Sequence, residues 1–556
     1  MKKFVSIAIG AALALASAVG FAGCGSAESY ETATTAAPAA AGTETSEAAT
    51  EAASSESSAE PGTITMAMVS AWDSIIPFDT TSSYSDAVLD LIYDKLVYLK
   101  QDGTYEPRLA DKWSMSDDNK VLTVHLNENA KWQDGEPVTA DDVVFTMQVY
   151  NSPSAAVVRQ NNVSPFAGFK EGDDSLQVKA VDEHTVEMTC AEPTNMDFLF
   201  FIKFRDIYIL PKHLLGDTPY ADIRNNSYWE KPIGSGPCIY ESQISGERME
   251  FKANKDYYLK TPQWDRFVVK VVATPSLLSG LMNDEIDILA GNVASLQLSD
   301  WDMAQQQQNL TCVSTESVGY QYMAINTEKD YLPPKVRQAI DMAINRDAIV
   351  SGLLKGEGEP AFGPFATSHK YYDDVVNVGY NPEKAKELLA EAGWDGSHEL
   401  VFSVPTGNSI REQAAVIIQQ NLQEIGIKTK IESADFATHL TKVREGNYDL
   451  GLIGSGGSPD PSECVINFKP DHINNFSHLS DWTIYNTGAE GEHAFSFEDR
   501  KVNYDNYQEL LVEQVPFCFL YFQNNLFAYN NRIGNVKDNQ DYSQLNRDVW
   551  NWTIEK

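Results

Sequence analysis

Pro107-Arg108-Leu109-Ala110-Asp111-Lys112-Trp113, then Thr123-Val124-His125-Leu126, then Lys131-Trp132-Gln133-Asp134-Gly135-Glu136-Pro137-Val138-Thr139-Ala140-Asp141-Asp142-Val143 follow one another within residues 107–146. Val121–Leu126 alternates apolar and polar side chains, which predicts a strand with one buried face. Asp134-Gly135 is a tight-turn dipeptide. Thr139 stands ahead of Asp141, Asp142, Val143, Val144, Phe145 and Met147. It can therefore cap a helix whose acidic first turn suits the helix dipole. Strand, turn and capped helix form a sound structural unit with no chemistry of its own.

Working outward, Thr63–Val69 predicts a strand, and Val88, Leu89, Ile92, Leu96 and Val97 recur at helical spacing over Ser85–Leu99. Beyond the unit come a strand pair near Leu176–Ala180 and Thr185–Cys190, and an apolar run at Phe198–Phe204. The loop Ile233-Gly234-Ser235-Gly236-Pro237 then enters a strand at Cys238–Ser242. From Val313 onward helices (Lys335–Val350, Asn381–Gly393, Glu412–Ile425, Phe436–Glu445) alternate with strands (Leu400–Val404, Ile427–Ile431, Tyr448–Ile453). That alternation marks an α/β fold. Tyr504–Gln514 reads as a helix and Pro516–Phe522 as an apolar strand.

A chain of 556 residues exceeds one compact core, so two or three domains are expected. An apolar share of 43% suffices to build them, and a net charge of −37 argues against a nucleic-acid partner, whose phosphates require Lys and Arg. Lys2 and Lys3, the apolar run Phe4–Phe21, and Ala22-Gly23-Cys24 read as a targeting segment over residues 1–23. Gly25–Gly62 is almost wholly Ala, Ser, Thr, Glu and Gly with no basic residue, too polar to order itself. Such a coil spans about 30–40 Å on average and roughly 120 Å when taut. Beyond Cys24, the cysteines Cys190, Cys238, Cys312, Cys464 and Cys518 include no C-x-x-C and read as scattered buried thiols with at most two bridges.

The order "P-x-L-A-x-x-W … L-x-x-x-x-x-W-x-D-G-x-P-V-T-A-x-D-V" resembles the family 5 solute-binding proteins, the peptide-type receptors of ABC importers. Gly234-Ser235-Gly236-Pro237-Cys238, Asn254-Lys255-Asp256-Tyr257-Tyr258, Asp284-Glu285-Ile286-Asp287 and "V-R-Q-A-I-D-M-A-I-N-R-D" at Val336–Asp347 follow in the family's order. The resemblance covers Thr63–Trp550. It implies an α/β fold of the two-lobed periplasmic-binding-protein kind (type II, cluster C-like), with an extra subdomain in the first lobe. The expected division is a signal peptide over 1–23, an anchor and linker over 24–62, lobe I over 63–312 with its subdomain at about 99–200, lobe II over 313–515, and a return to lobe I over 516–556. The crossings are expected near Leu310–Gly319 and Val515–Phe522. Phe21-Ala22-Gly23-Cys24 resembles a bacterial lipobox, which implies lipidation at Cys24; an ordinary signal-peptide cut nearby is the alternative.

There is no G-x-S-x-G elbow, P-loop, H-E-x-x-H or dinucleotide fingerprint, so no enzyme is read from the chain. His472, His478 and His493, with Cys464, Asp471 and Asp481, are metal-ligating types in one loop-rich region at spacings that match no recognised site, and no metal is assigned. The resemblance implies a peptide ligand captured by hinge closure, no cofactor, a permease with ATPase subunits as partners, membrane attachment through the lipid anchor only, and a monomer. In peptide-binding relatives an Asp three residues before a "D-P" pairs with the peptide's α-ammonium. Aligning Asp460-Pro461 to that pair puts Gly457 at the ammonium position, with Asp460 or Glu463 as substitutes. An oligosaccharide or metal chelate is therefore the alternative cargo, and Gly457→Asp is expected to improve binding of free-amine peptides. Glycine there also has a plain reading as a loop residue needing positive φ. Trp72, Tyr320 and Tyr322 are candidate cleft aromatics, with burial in a core as the equal alternative. Asn326 sits at a family-typical position facing the second lobe.

Overall fold

The computed structural model describes residues 62–100, 104–458, 460–536 and 548–555. The targeting segment, Cys24 and the linker through Pro61 lie outside these residues. Among the described residues three sheets carry the architecture, and no helix is long and apolar enough to cross a membrane.

The first lobe is built on a seven-stranded sheet in the order Leu310–Thr315, Asn525–Asn530, Ile288–Leu289, Thr63–Met68, Arg266–Val271, Arg248–Ala253 and Cys238–Ile244. Thr63–Met68 pairs in parallel with both Arg266–Val271 and Ile288–Leu289. It is buried along nearly its whole length, as a central strand covered on both faces must be. A four-stranded sheet (Ala110–Met115, Val121–Leu126, Thr185–Thr189, Val178–Asp182) forms the subdomain. Val121–Leu126 is a strand over the expected bounds, with Leu122, Val124 and Leu126 inward.

The stretch that named the fold is a structural staple. In the helix Ala140–Asn151, Asp142 Oδ2 accepts from the Thr139 backbone N–H at 2.8 Å and from Trp132 Nε1 at 3.3 Å. Gln133 reaches the Gly-Pro loop: its Nε2 donates to the Cys238 carbonyl at 2.9 Å, and its Oε1 accepts from Gly234 N–H at 3.0 Å. A Cβ on Gly234 would sit 1.8 Å from the Ile92 carbonyl oxygen, so only glycine lets this loop lie against the helix Ser83–Ile92. Arg108, between the rings of Tyr98 and Trp550 at 4.5 Å each and paired with Asp548 at 2.7 Å, fastens the C-terminal segment to the same lobe.

The second lobe is a six-stranded sheet in the order Gly358–Pro360, Phe517–Gln523, Tyr320–Ile325, Leu450–Ser455, Glu399–Pro405 and Lys428–Ala434. Its last three strands are parallel and are linked through the helices Ser409–Glu424 and Phe436–Arg444. Two apolar cores cover its faces, Met323 and Ile325 pointing into one and Tyr320, Tyr322 and Ala324 into the other. The helix expected over Lys335–Val350 is two helices, Pro334–Ala343 and Arg346–Leu353. Asn345 caps the second by accepting from Ala348 N–H at 2.9 Å.

The first crossing falls at the end of the expected Leu310–Gly319, while the return crossing and both lobe boundaries lie later than expected. Leu310–Thr315 belongs wholly to the first sheet, through its pairing with Asn525–Asn530. Phe517–Gln523 belongs to the second, between Tyr320–Ile325 and Gly358–Pro360. Phe517-Cys518-Phe519-Leu520-Tyr521-Phe522 is buried on both faces, which only an interior strand covered on both sides allows. The chain therefore crosses at 316–319 and returns at Asn524, and lobe II extends past residue 515 to Gln523.

Candidate functional site

The two crossings bring segments distant in sequence face to face. From the first lobe, Asn195 caps the short helix Met196–Phe198, its Oδ1 accepting from Asp197 N–H at 2.7 Å. Its Nδ2 donates across the seam to the Ala494 carbonyl. Asp197 Oδ1 accepts from Tyr105 Oη at 2.7 Å, and Tyr105 packs on Phe200 at 5.1 Å and edge-on to Trp113 at 6.3 Å.

From the second lobe comes the helix Phe497–Gln514, capped where Ser496 Oγ accepts from Asp499 N–H at 3.0 Å. One turn in stands Arg500, its side chain 1% exposed. Its Nε donates to the Gly491 carbonyl at 3.1 Å, and its Nη2 donates to Asp460 Oδ2 at 2.8 Å. Its Nη1 lies 3.4 Å from Asp197 Oδ2 in the other lobe. The rings of Tyr371 and Tyr504 flank the guanidinium at 5.3 and 5.6 Å. A second pair, Arg205 with Glu463 at 3.4 Å, also spans the seam, and Lys370 Nζ is 4.0 Å from Asp197. Near the crossings, Glu357 of the second lobe accepts from Trp301 Nε1 at 2.7 Å and from Ser314 Oγ at 2.5 Å in the first.

Burial, with Asp460 close by, pushes the Glu492 carboxyl up to about 7, against the opposing pull of Lys203 and Arg500. Burial likewise lowers the Lys203 ammonium. The folded protein thus keeps a proton on Glu492 that the unfolded chain releases near its ordinary 4.5. The stability this group contributes is complete below that value and is lost as pH rises through about 7. Glu492→Gln is accordingly expected to flatten the fall in melting temperature across that window; an unchanged pH profile would contradict the assignment.

Of the residues singled out from sequence, Asp460 and Glu463 lie in this group. Gly457 has φ +65°, and a Cβ there would meet the Val318 carbonyl oxygen at 1.7 Å, so the glycine is required by the turn that backs onto the first crossing. The expected gain from Gly457→Asp is overturned on that ground. Tyr320 and Tyr322 do not wall a cleft. They are buried in the second lobe's aromatic core, Tyr322 stacked on Phe517 at 4.3 Å and Tyr320 against Phe519 at 5.2 Å. Asn326 is fully buried, its Nδ2 donating to the Gly446 and Tyr448 carbonyls and its Oδ1 accepting from Glu328 N–H. It ties a loop from within the lobe. Trp72 is half-buried in the loop after the first strand and donates to Gln243 Oε1 at 2.7 Å. The metal-ligating types at 464–493 do not converge: His478 Nε2 meets the Val443 carbonyl, and among the described residues no three such side chains form a metal cluster. The five cysteines named above are free thiols.

Asp197, Arg205, Glu492 and Arg500 went unread in the sequence. Two local signals point to their segments: Asn195 ahead of Asp197, and Ser496-x-x-Asp499 ahead of Arg500, both helix-start patterns.

A profile described as "Bacterial extracellular solute-binding proteins, family 5 Middle" matches residues 104–475. "Oligopeptide-binding protein AppA" of Bacillus subtilis is 27% identical over 515 residues, covering 85% of this chain and 89% of the relative. "Heme-binding protein A" of Haemophilus influenzae is 28% identical over 392 residues, covering 67% of this chain and 70% of that one. Among solved structures, the ABC transporter substrate-binding protein CtaP of Listeria monocytogenes superposes with a TM-score of 0.79 at 23% identity, covering 89% of this chain and 100% of that one.

Proposed function

The chain belongs to the bacterial extracellular solute-binding proteins of family 5, and from that premise we propose that it captures peptides between its lobes and hands them to an ABC permease. The observation that carries this reading is the seam itself. Arg205, Lys203 and Asp197 face it from one lobe, and Arg500, Lys370, Glu463 and Glu492 from the other, giving both charge signs on both sides. A zwitterionic ligand needs both signs in reach and contacts with both lobes, so binding it favours the closed form. An extended peptide is held largely through its main chain, with side-chain pockets left tolerant. The similarity to a relative named for oligopeptides, over most of both chains, supports the same class.

The receptor is read as a monomer on the extracytoplasmic face, tethered by a lipid on Cys24 and the linker that follows, with no cofactor and no turnover. ATP hydrolysis belongs to partner subunits. A second reading is supported by Gly457: the position aligned with an ammonium-binding carboxylate has no room for a side chain. A non-peptide cargo, an oligosaccharide or a metal chelate, meets that condition directly.

Thermal shifts against short free-amine peptides, oligosaccharides and metal chelates distinguish these readings. Ligand at a hundred times its dissociation constant adds about 2.7 kcal/mol of stability. A shift with peptides is the expected result, and a shift only with sugars or chelates transfers the reading to the second cargo. Steady formation of a cleaved product in molar excess over protein would overturn the receptor reading altogether.

A further inference from the structure

We propose that Asp197, in the first lobe, is the carboxylate that reads the ligand's α-ammonium. The inference rests on the peptide reading above and names the residue that would select within it.

The second lobe's own candidate is occupied. Asp460 spends Oδ2 on Arg500 at 2.8 Å and Oδ1 on the Ser462 N–H and hydroxyl at 3.0 and 2.5 Å, with both charged side chains no more than 2% exposed. Drawing Asp460 to an incoming cation would leave the Arg500 charge buried without its partner, at a large cost. Gly457 cannot supply the group, since its Cβ position is filled by the backbone at Val318.

Asp197 stands differently. Its side chain is 31% exposed. Tyr105 holds Oδ1 at 2.7 Å, which fixes the carboxylate and leaves Oδ2 directed at the other lobe. There it meets Arg500 at 3.4 Å and Lys370 at 4.0 Å. Both are longer than the about 2.7–2.9 Å of a charge-assisted hydrogen bond between ions. The two Arg500 contacts use different nitrogens, Nη2 for Asp460 and Nη1 for Asp197, so Arg500 can release Asp197 and keep Asp460. An ammonium entering the seam thus finds on Asp197 a fixed acceptor held only loosely by cations. Glu463, equally exposed, is paired with Arg205 at 3.4 Å and serves as the control carboxylate. Because both cations near Asp197 come from the second lobe, opening the lobes frees it for capture.

The test is equilibrium dialysis of the mature chain against short random-sequence peptides, half of them N-acetylated, with bound forms quantified by mass spectrometry. Wild type is expected to favour free-amine forms by about ten- to a hundredfold, the range one charge-assisted hydrogen bond supports. Asp197→Asn should bring the two forms within about twofold of each other, while Glu463→Gln keeps the preference. Asp197→Glu, which retains the carboxylate, should restore part of the preference and keeps the test decisive if Asp197→Asn folds poorly. Undiminished preference in Asp197→Asn, or its loss in Glu463→Gln instead, overturns the assignment and leaves the peptide reading standing. Retention of neither peptide form by wild type overturns the peptide reading, and this inference with it.

Discussion

Gly457→Asp is expected to cost at least about 3 kcal/mol of stability, the sum of a left-handed backbone on a residue with a side chain and overpacking against a rigid neighbour, and to abolish solute capture. The Cβ would lie 1.7 Å from the Val318 carbonyl oxygen, 2.3 Å from its carbon and 2.9 Å from Gly319 N. All three are backbone atoms of the crossing at 316–319, so no side chain can swing aside to relieve the overlap. Relief requires moving the crossing itself, and with it the relation of one sheet to the other. Gly457→Ala should share most of the loss, because the clash begins at Cβ; this separates geometry from charge. Urea unfolding followed by tryptophan fluorescence measures both, and an aspartate variant with the wild-type midpoint would refute the packing described here.

Arg500→Met is the second large effect. It leaves Asp460 buried with no counter-charge, a loss on the order of 3–5 kcal/mol for breaking one side of a buried pair. Arg500→Met combined with Asp460→Asn should recover much of that loss, because the double variant removes the stranded charge along with the pair. Equal stability of the single and double variants would mean that the two side chains are not coupled as their 2.8 Å contact implies. Binding is expected to be lost in both variants, since the guanidinium also orders Tyr371, Tyr504 and the end of the helix Thr483–His493, which carries Gly491.

The fold was legible where the chain's periodicity and its local chemistry agree. Val121–Leu126 alternates and is a strand over those residues, and Asn381-Pro382 begins the helix Pro382–Glu391 through an ordinary asparagine cap. Legibility failed where one apolar rhythm serves two elements. Ser85–Leu99 keeps helical spacing, yet the helix ends at Ile92 and Val97–Leu99 pairs as a strand with Tyr105–Pro107. Apolar spacing also runs unbroken through Ile344-Asn345, because the helices on both sides bury residues in the same core. Tyr320 and Tyr322 share a strand face, as alternation requires, but alternation does not say what covers that face; packing from residues 462–522 does. The site was least legible because its central contact joins residues 303 apart in sequence, Asp197 and Arg500, each within an otherwise unremarked helix start.

Small-angle scattering of the protein, with and without saturating short free-amine peptides, tests hinge capture most directly. The account predicts that peptide narrows the population to the closed arrangement, in which Asn195 meets Ala494 and Asp197 faces Arg500 across the seam, and so lowers the radius of gyration. Peptide binding, verified by dialysis, with an unchanged or larger radius would contradict it.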